Sequence, residues 1–218
     1  MTQPQPITLY THPWSRGRIA RWMLEETGLP YGVRLLEYGT TMKAPDYTAI
    51  NPMGKVPALT VGDAVVTEAA AICAFLAERV PDRRLAPPPL SPARAPYYRW
   101  LFFAAGPLEA AVTAKSLGLL APEDKRTAAG YGTYDDVMAT LERVTAEAVA
   151  NGGGYVAGGR FSAADLYLAA QLNWGMQFKT VEPRASFQRY VEPLVQREAC
   201  LRANRLDDEL AQTLKPKA

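Results

Sequence analysis

Histidine and cysteine are almost missing from this chain: His12, Cys73 and Cys200 are the full set in 218 residues. Both cysteines sit in apolar helical patterns, and one histidine leaves too few soft ligands for a zinc site, so no metal is expected. Charge of one sign is not in surplus either. The 24 basic and 22 acidic residues are spread along the chain and leave a net charge of +2, which removes the electrostatic case for nucleic acid or an anionic membrane surface. No apolar run approaches the ~20 residues that a membrane helix needs, and Met1 to Pro6 has neither a basic n-region nor an apolar h-region. These absences predict a cytoplasmic protein in a reducing compartment, without nucleic-acid or membrane partners.

What is present is apolar content, 48% of the residues, enough for one large domain or two smaller ones. Ile7 to Tyr10 reads as a strand, and the segment from Ser15 places Ile19, Trp22 and Met23 at helical spacing until Gly28 and Pro30 stop it. Tyr31 to Leu36 is a second strand. After an irregular stretch to Ile50, in which Pro45 allows only a short helical turn, Asn51-Pro52-Met53-Gly54-Lys55-Val56-Pro57-Ala58-Leu59 gives loop chemistry followed by an extended run to Val61. Gly62-Asp63 turns the chain back into Ala64 to Thr67. A helix follows from Glu68 to about Arg79. The order β-α-β, linker, β-β-α is that of a thioredoxin-like α/β domain over residues 1–82.

Prolines crowd 81–96, which predicts a semi-rigid linker over 83–96. Beyond it no strand is evident, so 97–218 is expected to be all-helical. Tyr97 to about Leu120 forms a long helix kinked at Gly106-Pro107. Pro122-Glu123-Asp124 reads as the start of the next helix, ended by Asn151 to Gly154. Ser162 and Asp165 have capping-box spacing, with Phe161 and Leu166 as a hydrophobic staple. Phe187 to Leu210 supplies one or two further helices, and 215–218 a frayed tail.

A proline opening a strand is compatible with a cis bond, which turns the backbone N–H and C=O of the preceding residue, Val56, outward toward an extended peptide. The first N–H groups of the helix after Glu68 lack intrahelical partners and suit a carboxylate, while Glu68 suits an ammonium. A small zwitterionic peptide fits both. Asn51 to Leu59 followed by Thr67-Glu68-Ala69-Ala70-Ala71-Ile72 resembles the glutathione site of the cytosolic glutathione transferases, and the order of segments matches that family over nearly the whole chain. The resemblance implies a thioredoxin-like N-terminal domain followed by an all-α C-terminal domain. It also implies that Val56, before a cis Pro57, pairs with the cysteinyl backbone of glutathione, that Glu68 and Ala69 hold its γ-glutamyl end, and that Lys55 lies near its glycyl carboxylate. Ala69 stands where the family usually has Ser or Thr, so one hydroxyl contact is missing.

The same resemblance implies a hydroxyl that stabilises the glutathione thiolate, at the end of the first strand or the start of the first helix. Ser15 is the first candidate and Tyr10 the second, since mammalian-type transferases place a tyrosine at a comparable spacing before a pair like Arg21-Trp22. Ser15 also suits a plain helix N-cap, and Tyr10 the end of a core strand. Thr11 and His12 are weaker. The bacterial beta class has a cysteine in this loop where the present chain has Arg16, so mixed-disulfide chemistry is not expected. A hydrophobic electrophile would be bounded by Trp14, Trp100, Phe103 or Trp174, side chains equally suited to core positions. The resemblance therefore implies a detoxifying glutathione S-transferase acting as a homodimer, with glutathione as co-substrate. Glutathione-dependent peroxide or disulfide reduction, and a non-catalytic binding module, stay open.

Overall fold

The computed structural model describes residues 5–151 and 153–214; the expected frayed tail at 215–218 lies outside them. The chain divides into two compact units, one running to Arg83 and taking up the residues from Arg197, the other spanning Arg84–Gln196.

The first unit is built on a four-stranded sheet in the order β2-β1-β3-β4. Strand β1, Ile7–Thr11, buries Ile7, Leu9 and Thr11 on one face. Helix α1, Gly17–Thr27, sets Ile19, Met23 and Leu24 in the core and ends on Gly28, whose left-handed φ of 68° brings its N–H onto the Leu24 carbonyl, a conformation that glycine adopts without a Cβ penalty. Strand β2, Gly32–Leu35, pairs parallel to β1 at the sheet edge. A 3-10 turn at Thr41–Lys43 and a single helical turn α2, Pro45–Thr48, then lead to β3, Ala58–Val61, which runs antiparallel to β1. The hairpin returns as β4, Ala64–Thr67, and helix α3 covers Ala69–Arg79. This is the expected thioredoxin-like order.

The second unit is helical: α4, Arg94–Phe103; α5, Glu109–Ser116; α6, Tyr134–Ala150; α7, Ala163–Gln177; and α8, Ala185–Val195. The irregularity expected at Gly106-Pro107 is a wide π-helical turn, Ala104–Leu108, joining α4 to α5; proline has no N–H to continue the ordinary ladder. At the start of α7 the Asp165 carboxylate, fully buried, accepts from the Val156 and Ser162 N–H groups, the Ser162 hydroxyl and the Tyr190 phenol. The capping box thus also fastens a loop and α8.

Two expectations are corrected. Glu123–Ala128 is only a 3-10 helix, and α6 starts at Tyr134, where the Thr133 hydroxyl accepts from the Asp136 N–H and Asp135 and Asp136 occupy the first turn. Gly132, at a φ of 69°, separates the two. The last helix, α9, Glu198–Gln212, belongs with the first unit, whereas the composition break predicts a helical domain running on to 218. Ion pairs fasten α9 and the residue before it to α1: Arg18 with Asp208, Arg21 with Asp207 and Arg202 with Glu25 from the helix, and Arg197 with Glu26 from its N-cap. Among the described residues no helix is long and apolar enough to cross a membrane.

Candidate functional site

Strand register decides which loops meet. Tyr10 and Thr67 both pair with Ala58, and Thr11 pairs with Leu35. The carboxyl ends of β1, β2 and β4 and the amino end of β3 therefore share one end of the sheet. There the chain places loop 12–16, the turn after Leu36, the Asn51–Pro57 loop and Glu68.

The Asn51–Pro57 loop is organised from behind. Asn51 is buried, and its amide donates to the Lys55 carbonyl at 2.8 Å while its Oδ1 accepts the Met53 N–H at 3.1 Å. Tyr47, on α2, donates its phenol to the same Lys55 carbonyl. Gly54 has a φ of 55°, and a Cβ there would lie 2.5 Å from the Met42 carbonyl oxygen, so the loop closes only around glycine. Lys43 passes alongside and donates to the Met53 carbonyl at 2.8 Å; Lys55 is exposed. The Val56-Pro57 bond is cis. The Val56 N–H and C=O enter no hydrogen bond among the described residues.

Across the hairpin, Glu68 precedes α3 with φ 65° and ψ 118° and makes no side-chain cap. Its side chain is exposed, whereas Ala69 is buried as the first helical residue. The leading N–H groups of α3 are orphaned by helix geometry and carry its positive end.

At the start of α1 the Ser15 hydroxyl is buried. It donates to the His12 carbonyl at 2.6 Å and accepts the Gly17 N–H at 3.0 Å, so it ties the turn as a cap does. An added Cβ on Gly17 would fall 1.8 Å from the Thr11 Oγ1 and 2.9 Å from the Ser15 Oγ; only glycine permits this crowding. The Thr11 hydroxyl is buried without a partner among the described residues. Tyr10 points to the opposite face of β1 and rests on Tyr47, ring centroids 5.6 Å apart. His12, read from sequence as a loop residue, is buried: its Nδ1 accepts the Trp14 N–H at 3.2 Å and its ring meets Tyr38 at 4.5 Å. Arg16 is exposed.

Of the aromatic candidates, Trp14 is exposed in the first unit. The others belong to the second, where Trp100 is buried edge-on to Phe103 and Trp174 stacks on Phe178. Cys73 and Cys200 are both buried, and burial raises both thiols, that of Cys200 to about 12. Neither is an activated nucleophile. Sequence reasoning passed over Lys43, Tyr47 and Tyr38. None of them carries a periodic or motif signal, and only the fold brings them to this end of the sheet.

A mixed sheet with a cis-proline peptide edge, a helix N-terminus beside it and a separate helical unit define the class: a thioredoxin-like domain followed by an all-helical one. A sequence model of the glutathione S-transferase N-terminal domain matches residues 13–79. Among curated proteins the chain is 29% identical to glutathione S-transferase GST-4.5 of Xanthomonas campestris pv. campestris, over 77% of this chain and 82% of that protein. It is 36% identical to glutathione S-transferase GstA of Escherichia coli O157:H7, over 62% and 64%. Among solved structures, a sphingomonad glutathione S-transferase complexed with glutathione superimposes with a TM-score of 0.69 at 26% identity, covering 92% of this chain and 98% of that one. Residues 13–79 thus match the glutathione S-transferase N-terminal domain, and the chain as a whole is similar to glutathione S-transferases in sequence and fold.

Proposed function

We propose that this chain is a glutathione transferase that binds glutathione at the described end of the sheet and directs its thiolate at hydrophobic electrophiles. The observation that carries this reading is the juxtaposition of the unpaired Val56 peptide edge with the α3 N-terminus. Val56 pairs with the cysteinyl amide of the ligand, the Ala69 and Ala70 N–H groups take its α-carboxylate, and Glu68 takes its ammonium. Lys55, with Lys43 beside it, faces the glycyl carboxylate. The relative solved with glutathione bound supports the choice of ligand.

Reaction requires the thiolate. Bringing a thiol from a pKa of about 8.5 to ~6.5 takes roughly 2.7 kcal/mol of preference for the anion. A hydrogen bond to a charged group contributes ~1.5–3 kcal/mol and a helix N-terminus ~0.3–1 kcal/mol. Ser15, at the start of α1, is the activator we assign, its proton turning from the His12 carbonyl to the sulfur; Tyr10 is the alternative. The thiol proton passes to solvent, the sulfur bonds to the electrophilic carbon, and the leaving group departs. Trp14, exposed in the first unit, is the side chain assigned to the electrophile. The working form in this reading is a cytoplasmic homodimer engaged in detoxification.

Steady-state assay with glutathione and a nitro-activated aryl chloride tests the reading. The expected result is enzyme-dependent chloride release and thioether formation, lowered about 10–100-fold in kcat/KM by Ser15→Ala. Turnover of hydroperoxides or disulfides alone would make the protein a glutathione-dependent peroxidase or reductase. Binding without any turnover would make it a carrier, the reading that Ala69 and the inward-facing Ser15 proton favour.

A further inference from the structure

The Ser15 hydroxyl has one proton, and that proton already serves the His12 carbonyl at 2.6 Å, between two buried groups. Turning it to a ligand gives up that short bond and leaves the carbonyl with the Ser15 N–H alone, at 3.1 Å, which offsets part of what the new bond contributes. Thr11 offers no alternative, since its hydroxyl is sealed beneath Gly17. Tyr10 lies on the other face of the strand.

Tyr38 is placed differently. The turn that carries it is fixed at both ends: the Leu36 N–H donates to the Thr11 carbonyl at 3.0 Å, and the Glu37 carbonyl accepts the Met42 N–H at 3.2 Å. Its ring lies 4.5 Å from that of His12, while 48% of the residue stays exposed. Its hydroxyl donates to the Trp14 carbonyl at 3.2 Å, a long and exposed bond that water can replace at little loss. Trp14 is the residue before Ser15, so the phenol stands at the mouth of the same turn. Partial burial raises the Tyr38 pKa, while the nearby Arg16 charge and Ser15 side chain pull it down less strongly. The group therefore stays a protonated donor at neutral pH, with Ser15 and Arg16 as its neighbours.

We propose that Tyr38 donates a hydrogen bond to the glutathione thiolate beside Ser15, swapping the Trp14 carbonyl for the sulfur when the ligand enters. This rests on the glutathione reading above and adds a second hydroxyl to it. No bond is made or broken on Tyr38; the thiol proton leaves for solvent and the phenol keeps its own.

The test uses the full chain as wild type, Tyr38→Phe and Ser15→Ala, each saturated with reduced glutathione, with the ultraviolet thiolate band followed against pH and affinity measured by calorimetry. Tyr38→Phe keeps the ring against His12 and removes only the hydroxyl. The expected result is an apparent thiol pKa higher by about one unit, a tenfold loss of thiolate at a given pH on the acid side, with Kd changed less than about twofold. An unchanged thiol pKa in Tyr38→Phe overturns the proposal, whether affinity holds or falls, because a residue that merely shapes the turn would move affinity alone. If the wild type binds no glutathione, the functional reading itself fails and Tyr38 loses its role with it.

Discussion

The Arg21 guanidinium donates to the Asp207 carboxylate at 2.9 Å with both side chains out of water, 5% and 0% exposed. This pair joins the first helix to the last. The other oxygen of Asp207, Oδ2, is buried without a partner among the described residues, and burial outweighs the attraction of Arg21 and Arg18 and raises the carboxyl to about 6. A folded-state pKa above the unfolded value means that the stabilisation is complete at low pH and is lost as pH rises through about 6. Asp207→Asn carries no such titration. The unfolding free energy of wild type relative to Asp207→Asn should fall by about 2–3 kcal/mol between pH 4 and pH 6.5, by the usual conversion of a pKa difference into free energy. Urea melts of both proteins across that range check it, and a pH-independent difference would contradict it.

Gly17 is where the sheet end is most crowded. Gly17→Ala should cost about 1–3 kcal/mol through overpacking against Thr11 and Ser15, and should lower kcat/KM by displacing Ser15. Removing the crowding hydroxyl with Thr11→Ala should restore most of the stability in the double variant. Thermal melts of the four proteins in that cycle measure the coupling; strict additivity would mean the contact is not the cause.

Much of the fold is legible because its signals are local. Alternation in Ile7 to Thr11, the Gly62-Asp63 turn and the Ser162-Asp165 box each act within a few residues. The position of α9 is not legible that way. It depends on Arg21 meeting Asp207 and Arg18 meeting Asp208, 186 and 190 residues apart in sequence, and arginines on an amphipathic helix name no partner. Pro122-Glu123-Asp124 carries the composition of a helix start, yet the stronger cap at Thr133 takes the helix. At the candidate site the motif points to Val56 and Glu68, but a lone tyrosine in a turn is silent, so Tyr38 emerges only once the ends of β1 and β2 are aligned.

Glu68 separates stability from binding. Its positive φ is strained for a residue with a Cβ, at about 1–3 kcal/mol for such conformations. Glu68→Gly relieves the Cβ crowding and Glu68→Ala does not, so the glycine variant should be more stable than the alanine variant by about 1 kcal/mol. Both should lose at least about tenfold in glutathione affinity, since each lacks the carboxylate for the ammonium. Chemical denaturation paired with calorimetry checks both halves, and retained affinity in either variant would remove Glu68 from the site.

Asn51 holds the loop that presents Val56. Asn51→Ala leaves Lys55 with the Tyr47 donor alone and orphans the Met53 N–H, a loss of about 2–3 kcal/mol for buried, two-sided bonding. Glutathione affinity should fall together with the melting temperature. A drop in stability with affinity intact would show that the Val56 edge does not contact the ligand.

The most direct measurement is a calorimetric titration of the wild-type chain with reduced glutathione. The account predicts saturable binding with one site per chain and a Kd at or below about 1 mM, roughly 4 kcal/mol of binding free energy. The thiolate band of the bound ligand should persist at a pH where free glutathione is a thiol. No heat and no thiolate at millimolar glutathione would contradict the proposed site.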